Sequence, residues 1–394
     1  MFGFKRNEKK TDLAIVNRSF WPQGQVIGEG LLQFAEKAAE THSVCVITQA
    51  DGDLSALLAK ARRGAGLKHR VCKTYTNSSS GIFKRTAEAL FFMGWTFVSL
   101  VRANPSNVYV STNPPVVVPF IVALYCRLFG ARYTYHLQDI HPEAANIVIP
   151  LNRLLLLALK TLDNYTLRHA TAIVTLSEDM KLYAQQRSGT ESTFCLLDNP
   201  SFSVVPVPVA ERTKDIVYCG NAGRMQRMPL LLSAIRGYLQ LGGTLQFTFA
   251  GGGIFASDIK TLACSFEQVN YLGVLPAAEA AELVNEHRWA LLPIDDEVTK
   301  YAFPSKSSGY ALSGACVLAV CGEQTSVARW ITSNQIGIVC APNHDSLIES
   351  FFLLEKSELK QFSLNCDAQQ RLQIAYFAQK LCDIALAEYQ RNKH

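Results

Sequence analysis

"LDNPSFSVVPVPVAERTK", residues 197–214, decides the fold. It holds three prolines, Pro200, Pro206 and Pro208, and shows no helical period. Proline fixes φ, removes a backbone donor and pushes the residue before it toward extended backbone. The segment therefore reads as a linker. On both sides of it short apolar runs alternate with amphipathic stretches. Upstream, residues 12–17, 43–48, 106–112, 131–137 and 171–177 read as strands, and 28–40, 116–129 and 151–170 as helices. Downstream the pattern restarts, with strands at 215–221, 245–251, 269–273, 289–294 and 315–320. Helices fall at 228–241 and 277–287, and a last one closes the chain around 366–390. This β-α-β rhythm predicts an α/β protein with a parallel sheet on each side of the linker, both faces of each sheet covered by helices. Two such units leave a cleft between the carboxyl ends of their sheets, where ligands of open α/β folds bind.

Composition agrees with two cores. The chain has 394 residues, 48% of them hydrophobic and only 18% charged, which is ample for two domains of ordinary size. The formal charge of +5 is uneven. Residues 1–210 carry 22 Lys/Arg and 15 Asp/Glu, a net +7, whereas residues 211–394 carry 16 and 18, a net −2. A basic first half suits an anionic membrane surface or a phosphate-bearing ligand, and equally a solvated surface. No basic run is interleaved with aromatics, so nucleic acid is not an expected partner. The eleven cysteines form no C-x-x-C and no zinc spacing. Cys45, Cys126, Cys219, Cys264, Cys316 and Cys340 fall in apolar stretches and read as buried thiols of a reducing cytoplasm. "MFGFKRNEKK" (1–10) lacks the apolar core of a secretory signal. The apolar run 114–130 is broken by Pro119 and Arg127 and falls short of a bilayer span. The run 89–105 reads as a helix packed on the core, or as one whose aromatics dip into a membrane interface.

Four stretches can carry chemistry. In "YCGNAGRMQRMP" (218–229) a strand ends at Gly220, a small-residue turn follows, and a helix starts near Arg227 and Pro229. Gly220 and Gly223, on either side of Asn221, permit close backbone approach, the helix start offers N–H groups to an anion, and Arg224 and Arg227 add charge. "FPSKSSGYALSGACVLA" (303–319) places Ser305 and Lys306 before a short helix that Gly314 ends, then a buried strand. A lysine beside a helix start forms a second anion site. In "RSFWPQGQVIGEG" (18–30), Gly24 and Gly28 keep the backbone bare in a strand-to-helix loop. In "YHLQDIHPEAA" (135–145) a strand runs into Asp139, His141 and Glu143, a titratable edge just past a parallel strand. Neither a G-x-S-x-G elbow nor a G-x-x-x-x-G-K-[ST] loop occurs, and "AGGGIFASD" (250–258) lacks dinucleotide-fingerprint spacing.

These stretches, with "VTLSEDM" (174–180), "LDNPSF" (197–202), "FTFAGGG" (247–253) and "YLGVLP" (271–276), resemble in order and spacing the bacterial retaining glycosyltransferases of family 4. The resemblance covers nearly the whole chain and is strongest to the branch that builds surface polysaccharides. It implies the GT-B architecture, two Rossmann-like domains with parallel sheets facing across a cleft. Residues 1–205 would form the acceptor-side domain and 206–372 the nucleotide-sugar-binding domain, with 373–394 a C-terminal helix that crosses back. Transfer would run from a nucleotide sugar, a UDP-sugar favoured, to a lipid-linked (polyprenyl diphosphate) or saccharide acceptor, in the cytoplasm or on the inner face of the cytoplasmic membrane. No metal or other cofactor is implied, because basic residues and helix starts neutralise the leaving diphosphate. Gly24 and Gly28 would face the donor, with Gly220, Asn221, Gly223, Arg227 and Ser305 around it. Arg224 and Lys306 would hold its diphosphate. Asp139, with His141 and Glu143, would contact the reacting sugar or the acceptor. One departure stands out: the two glutamates that many members carry eight positions apart are here Tyr301 and Gly309. Asp295, Asp296 or Glu297 could take over the ribose. Two rivals remain, a nucleotide-sugar 2-epimerase of the same architecture and a non-catalytic membrane-associated scaffold.

Overall fold

The structure is a computed structural model that describes residues 11–387 except 77–80, 203, 209–210, 357–361 and 363. The polar start 1–10 and the end of the expected last helix, 388–394, lie outside the described residues. Two all-parallel sheets carry the fold. The first comprises β1 (Thr11–Ser19), β2 (Val44–Ala50), β3 (Lys68–Lys73), β4 (Pro105–Ser111), β5 (Arg132–Leu137), β6 (Ala172–Thr175) and β7 (Thr193–Leu196). The second comprises β8 (Lys214–Cys219), β9 (Phe247–Ala250), β10 (Val269–Tyr271), β11 (His287–Pro293), β12 (Cys316–Val320) and β13 (Gly337–Cys340). Their strand orders are β3-β2-β1-β4-β5-β6-β7 and β10-β9-β8-β11-β12-β13. Each order reverses once, between β1 and β4 and between β8 and β11. Those reversals are where helices leave for opposite faces and a crevice opens at the strands' carboxyl ends. The expected pair of Rossmann-like domains is therefore present.

The central strands form because their apolar runs are covered on both faces. Leu13 to Val16 of β1 and Val317 to Val320 of β12 have no exposed surface, as a doubly covered parallel strand requires. Ser177 caps helix Glu178–Ser188 through Met180 N, and Asn152 caps helix Arg153–His169 through Leu154 N. The linker is pinned to the second domain by Arg212. Its buried guanidinium donates to the carbonyls of Val207, His287 and Ser313. Three satisfied carbonyls make burial of that charge tolerable.

The chain returns to its first domain at the end. Instead of one closing helix there are two, Cys366–Arg371 and Ile374–Leu386. The second lies on helix Gln25–Ala39, with Phe377 and Leu381 in the same core as Leu13, Phe34 and Tyr109. A Cβ at Gly30 would fall 2.9 Å from the Phe377 ring, so the two helices meet there closely. The outgoing and returning chains touch: Ser201 N donates to Leu372 O at 2.9 Å, and Ser201 bridges Gln373. Two cysteine expectations are corrected: Cys219, at the end of β8, is only half-buried. Cys264 is exposed, because helix Ala256–Ser265 buries Ile259 and Leu262 and turns position 264 outward.

Candidate functional site

The second-domain side is built from the ends of β8 and β11. β8 ends at Cys219 and is followed by Gly220, whose φ of +149° favours glycine. The adjoining β9 loop presses against it. A Cβ at Gly251 would lie 2.0 Å from Gly220 O, and one at Gly253 would lie 2.4 Å from Ala222 O. Gly220 N and Ala222 N are spent on the carbonyls of Ala250 and Gly252. The glycines of "AGGGIFASD" thus serve backbone-to-backbone packing beneath the turn. Helix Ser307–Ser313 is locked to the same strand end by Tyr310, whose hydroxyl contacts both N and O of Cys219 at 3.0 Å.

That lock aims Lys306. Its Nζ lies 4.0 Å from the centroid of the Tyr218 ring, against Gly220, where a Cβ would come within 2.6 Å of it. The residue as a whole keeps some exposed surface, but Nζ is buried and has no hydrogen-bond partner among the described residues. Burial pulls its pKa down to about 7. An ammonium without a counter-charge is costly, so this nitrogen is poised for an anion at the strand end. Ser305 beside it is exposed.

The two arginines are otherwise engaged. Arg227 donates to Ile294 O at 3.0 Å and pairs with Asp295 at 3.4 Å and Asp296 at 3.2 Å. Arg224 reaches across to the first domain and donates to Val148 O at 2.6 Å. Asn221 is exposed at the turn, and Gly223 N donates to Gln226 Oε1 at 3.0 Å. The three carboxylates expected to replace the missing glutamates are committed elsewhere. Asp296 also accepts from Gly322 N, and Glu297 accepts from Tyr301 Oη at 2.6 Å. Gly309 faces Ser201, with Oγ 3.2 Å from where its Cβ would be.

The first-domain side follows β5. Asp139 forms an antiparallel bridge with Ala302, and Ile140 N donates to Tyr301 O at 2.6 Å, so the domains meet here. No hydrogen bond or ion pair reaches the Asp139 side chain among the described residues. Burial raises its carboxyl to about 6. His141 is held neutral, its pKa lowered to about 4 by burial. Glu143 is different. It accepts from Tyr183 Oη at 2.7 Å and pairs with Arg187 at 2.8 Å and Lys160 at 3.1 Å. Burial pushes its carboxyl up, but Arg187 and these bonds win and hold it below its ordinary value. Arg187 also pairs with fully buried Asp163. Glu143 is thus part of a buried ionic cluster, whereas Asp139 is unpartnered. Gly24 and Gly28 face each other: a Cβ at Gly24 would lie 2.7 Å from Gly28 Cα, and one at Gly28 would lie 3.2 Å from Phe20 O. Their bareness folds the loop onto its own helix.

The domains also touch farther along. Ser326 N and Arg329 bond Asp179, and Trp330 Nε1 donates to Asp198 at 2.9 Å. A cavity of about 340 Å³ lies there, between Phe303, Trp330 and Tyr376. Another of about 500 Å³ lies by Asp51, His69 and Lys73, away from Lys306. Among the described residues no cluster of three or more His, Cys, Asp or Glu could hold a metal.

No family model matches the chain, and no curated protein sequence matches it. Solved structures do. HepE of Anabaena, in complex with UDP and glucose, aligns over 95% of this chain and 99% of its own, at 14% identity and a TM-score of 0.63. WaaG, a glycosyltransferase involved in lipopolysaccharide biosynthesis, aligns over 95% and 100%, at 14% and 0.62. Sucrose-phosphate synthase of Thermosynechococcus elongatus aligns over 95% and 98%, at 13% and 0.66. The fold is GT-B. On this GT-B frame Lys306 and Arg224 lie on one side of the domain junction, and Asp139 and His141 on the other. Sequence reading missed Tyr310, which aims Lys306, and Arg187, which takes Glu143. A tyrosine four places after the lysine is a faint signal for the first. The second has none, since Arg187 and Glu143 are 44 residues apart.

Proposed function

We propose that the chain is a retaining glycosyltransferase of the family 4 type, moving a sugar from a nucleotide sugar, UDP-linked by preference, to a hydroxyl of a lipid-linked or saccharide acceptor in bacterial surface-polysaccharide synthesis. The observation that carries this reading is the buried, unpartnered Lys306 ammonium at the carboxyl end of β8. A diphosphate is the anion that such a strand end accommodates. The named neighbours support it: HepE is described with UDP, and separately with UDP-glucose.

In the proposed reaction the acceptor hydroxyl attacks the anomeric carbon on the face from which the diphosphate departs. The carbon–oxygen bond to phosphate breaks, and a phosphate oxygen takes the hydroxyl proton. Lys306 binds the departing charge. Arg224 joins it on exchanging Val148 O for phosphate. Asp139 orients the sugar or the acceptor hydroxyl, and neutral His141 supplies a hydrogen bond without charge. No metal enters the scheme. Glu143 acts at a distance, by fixing the helix that follows Asp139.

Calorimetric titration with UDP and GDP tests the reading on the wild type, Lys306→Ala and Arg224→Ala. Binding of one nucleotide, lost in Lys306→Ala, supports it. Tight binding that survives both changes would overturn the phosphate site. A second reading, the non-catalytic scaffold, is favoured by Gly309, where a ribose-binding carboxylate is missing, and by the commitment of Asp295, Asp296 and Glu297. It predicts no binding of either nucleotide.

A further inference from the structure

We infer that the cavity between Trp330 and Tyr376 is a second ligand site, for a neutral saccharide, separate from the strand end that holds Lys306. Its volume of about 340 Å³ is that of a small-molecule pocket, and such pockets concentrate at domain interfaces. Both domains build it. The first contributes Leu176 and Asp198, just past the carboxyl ends of β6 and β7, and the second contributes Phe303, Ser326 and Trp330. Tyr376 lines it from the returning helix Ile374–Leu386. Neither Tyr218 nor Gly220, the residues around Lys306 Nζ, belongs to its wall.

The lining selects the ligand. Its charges are already matched. Arg329 pairs with Asp179, and Glu178 with Lys181 at 2.9 Å. Arg371 donates to Asn334 Oδ1 at 3.0 Å, and its charge favours the ionised form of Asp198. An entering anion would meet Glu178 and Asp198, and an entering cation would meet Arg329 and Arg371. The cavity therefore suits a molecule without net charge. Two polar groups have capacity left. Ser326 Oγ is buried and has no hydrogen-bond partner among the described residues. Asp198 accepts from Trp330 Nε1 at 2.9 Å through one oxygen, and no hydrogen bond among the described residues reaches the other. Ligand hydroxyls serve both, because they donate to a carboxylate and either donate to or accept from a serine. The aromatic wall sets the shape. Phe303 meets Trp330 edge-on, with ring planes at 70° and centroids 5.8 Å apart, so no parallel pair of these rings brackets a flat base. A pyranose needs only one ring face, on which its axial C–H groups meet the negative side of the quadrupole. A hydroxylated molecule with one apolar face is a mono- or disaccharide.

The position gives the site leverage. Phe303 lies three residues before Lys306. Trp330 and Asp198 join the domains beside the cavity, and Arg329, also in its wall, joins them through Asp179. A saccharide bonded to Asp198 on one side and Ser326 on the other would tie the domains further and act on the loop that carries Lys306. That coupling rests on the functional reading above, whereas the saccharide site itself does not.

Saturation-transfer difference NMR of the full chain tests this with glucose, N-acetylglucosamine and maltose, because it registers weak binding. The wild type is compared with Ser333→Trp, Ser326→Ala and Lys306→Ala. Ser333 lines the cavity from an exposed position, so a tryptophan there fills the space. Ser326→Ala removes only the unpartnered hydroxyl and leaves the bond from its backbone N–H to Asp179. Thermal melting checks folding, and Ser326→Ala decides alone where the tryptophan disturbs it. At least one sugar should give a signal with the wild type. That signal should persist in Lys306→Ala, vanish in Ser333→Trp and fall severalfold in Ser326→Ala. Silence from all three sugars overturns the inference. An undiminished signal in the folded cavity variants overturns it too, by placing the sugar elsewhere, as does loss of the signal in Lys306→Ala, by placing the sugar in the cleft. UDP titration is read separately, so failure of the nucleotide to bind sinks the enzymatic reading and leaves the saccharide site standing.

Discussion

The ammonium of Lys306 lies 4.0 Å above the Tyr218 ring and has no hydrogen-bond partner among the described residues. A cation over an aromatic face is attracted to the ring quadrupole, but only by about 0.5–2 kcal/mol. That is small beside the cost of stripping water from a charge. The fold therefore holds this lysine at a loss that an arriving anion would offset.

Nucleotide binding should take up a proton. With its pKa near 7, Lys306 is largely neutral at pH 8.5, and a bound diphosphate restores the charge. Calorimetry with UDP at pH 8.5, in two buffers of different ionisation enthalpy, should report uptake approaching one proton. Lys306→Met should report none and bind at least tenfold more weakly.

The same group sets a stability trend. Between pH 7 and about 10.4 the unfolded chain holds the Lys306 proton and the folded chain does not, so this group's contribution rises with pH. Lys306→Met should melt above the wild type at pH 7, and the gap should close toward pH 10. A gap that widens with pH would contradict the assignment.

Asp139 gives the opposite slope. Its carboxyl is raised to about 6, so between about pH 4 and 6 the folded chain keeps a proton that the unfolded chain has lost, and stability falls as pH rises. Asp139→Asn should therefore be more thermostable at pH 7.5. Its turnover with UDP-sugar should drop on the order of 100-fold. The wild-type rate should climb through pH 6 as the carboxyl ionises, and the variant's profile should lack that limb.

Glu143→Ala should behave as a folding variant. It removes the carboxylate that Lys160 pairs with and one of the two that Arg187 holds in a buried cluster, leaving Arg187 with Asp163, and removing one member of such a cluster costs about 3–5 kcal/mol. Denaturant unfolding should show that loss. A variant with full stability and no turnover would return Glu143 to the chemistry.

Gly251→Ala tests the backbone packing under the turn that follows β8. Its φ is +132° and the added carbon would meet Gly220 O. UDP binding should fall at least tenfold while the first domain's near-ultraviolet signal persists.

The central strands were legible because burial on both faces writes an unbroken apolar run. β3, with the sequence KHRVCK, β7 and β13 were not read: they are edge strands with half-exposed residues, so no such run exists. The last helix was read as continuous because its apolar period survives the break at Leu372 and Gln373, which only the contact with Ser201 reveals. Lys306 stood out through its Pro-Ser-Lys-small context. The state of Arg227 did not, since Asp295 and Asp296 lie about 70 residues away and only β11 brings them close.

The seating of helix Ile374–Leu386 in the first domain has a consequence for biosynthesis. Phe377 and Leu381 complete the core around Leu13 and Phe34, yet the ribosome adds them after the entire second domain. From Ser201 to Ile374 is 374 − 201 = 173 residues, roughly ten to thirty seconds of translation. For that interval the nascent first domain carries an open apolar groove along helix Gln25–Ala39. It is the part of the polypeptide that chaperones would meet first, and the part that a truncated transcript would leave permanently uncovered.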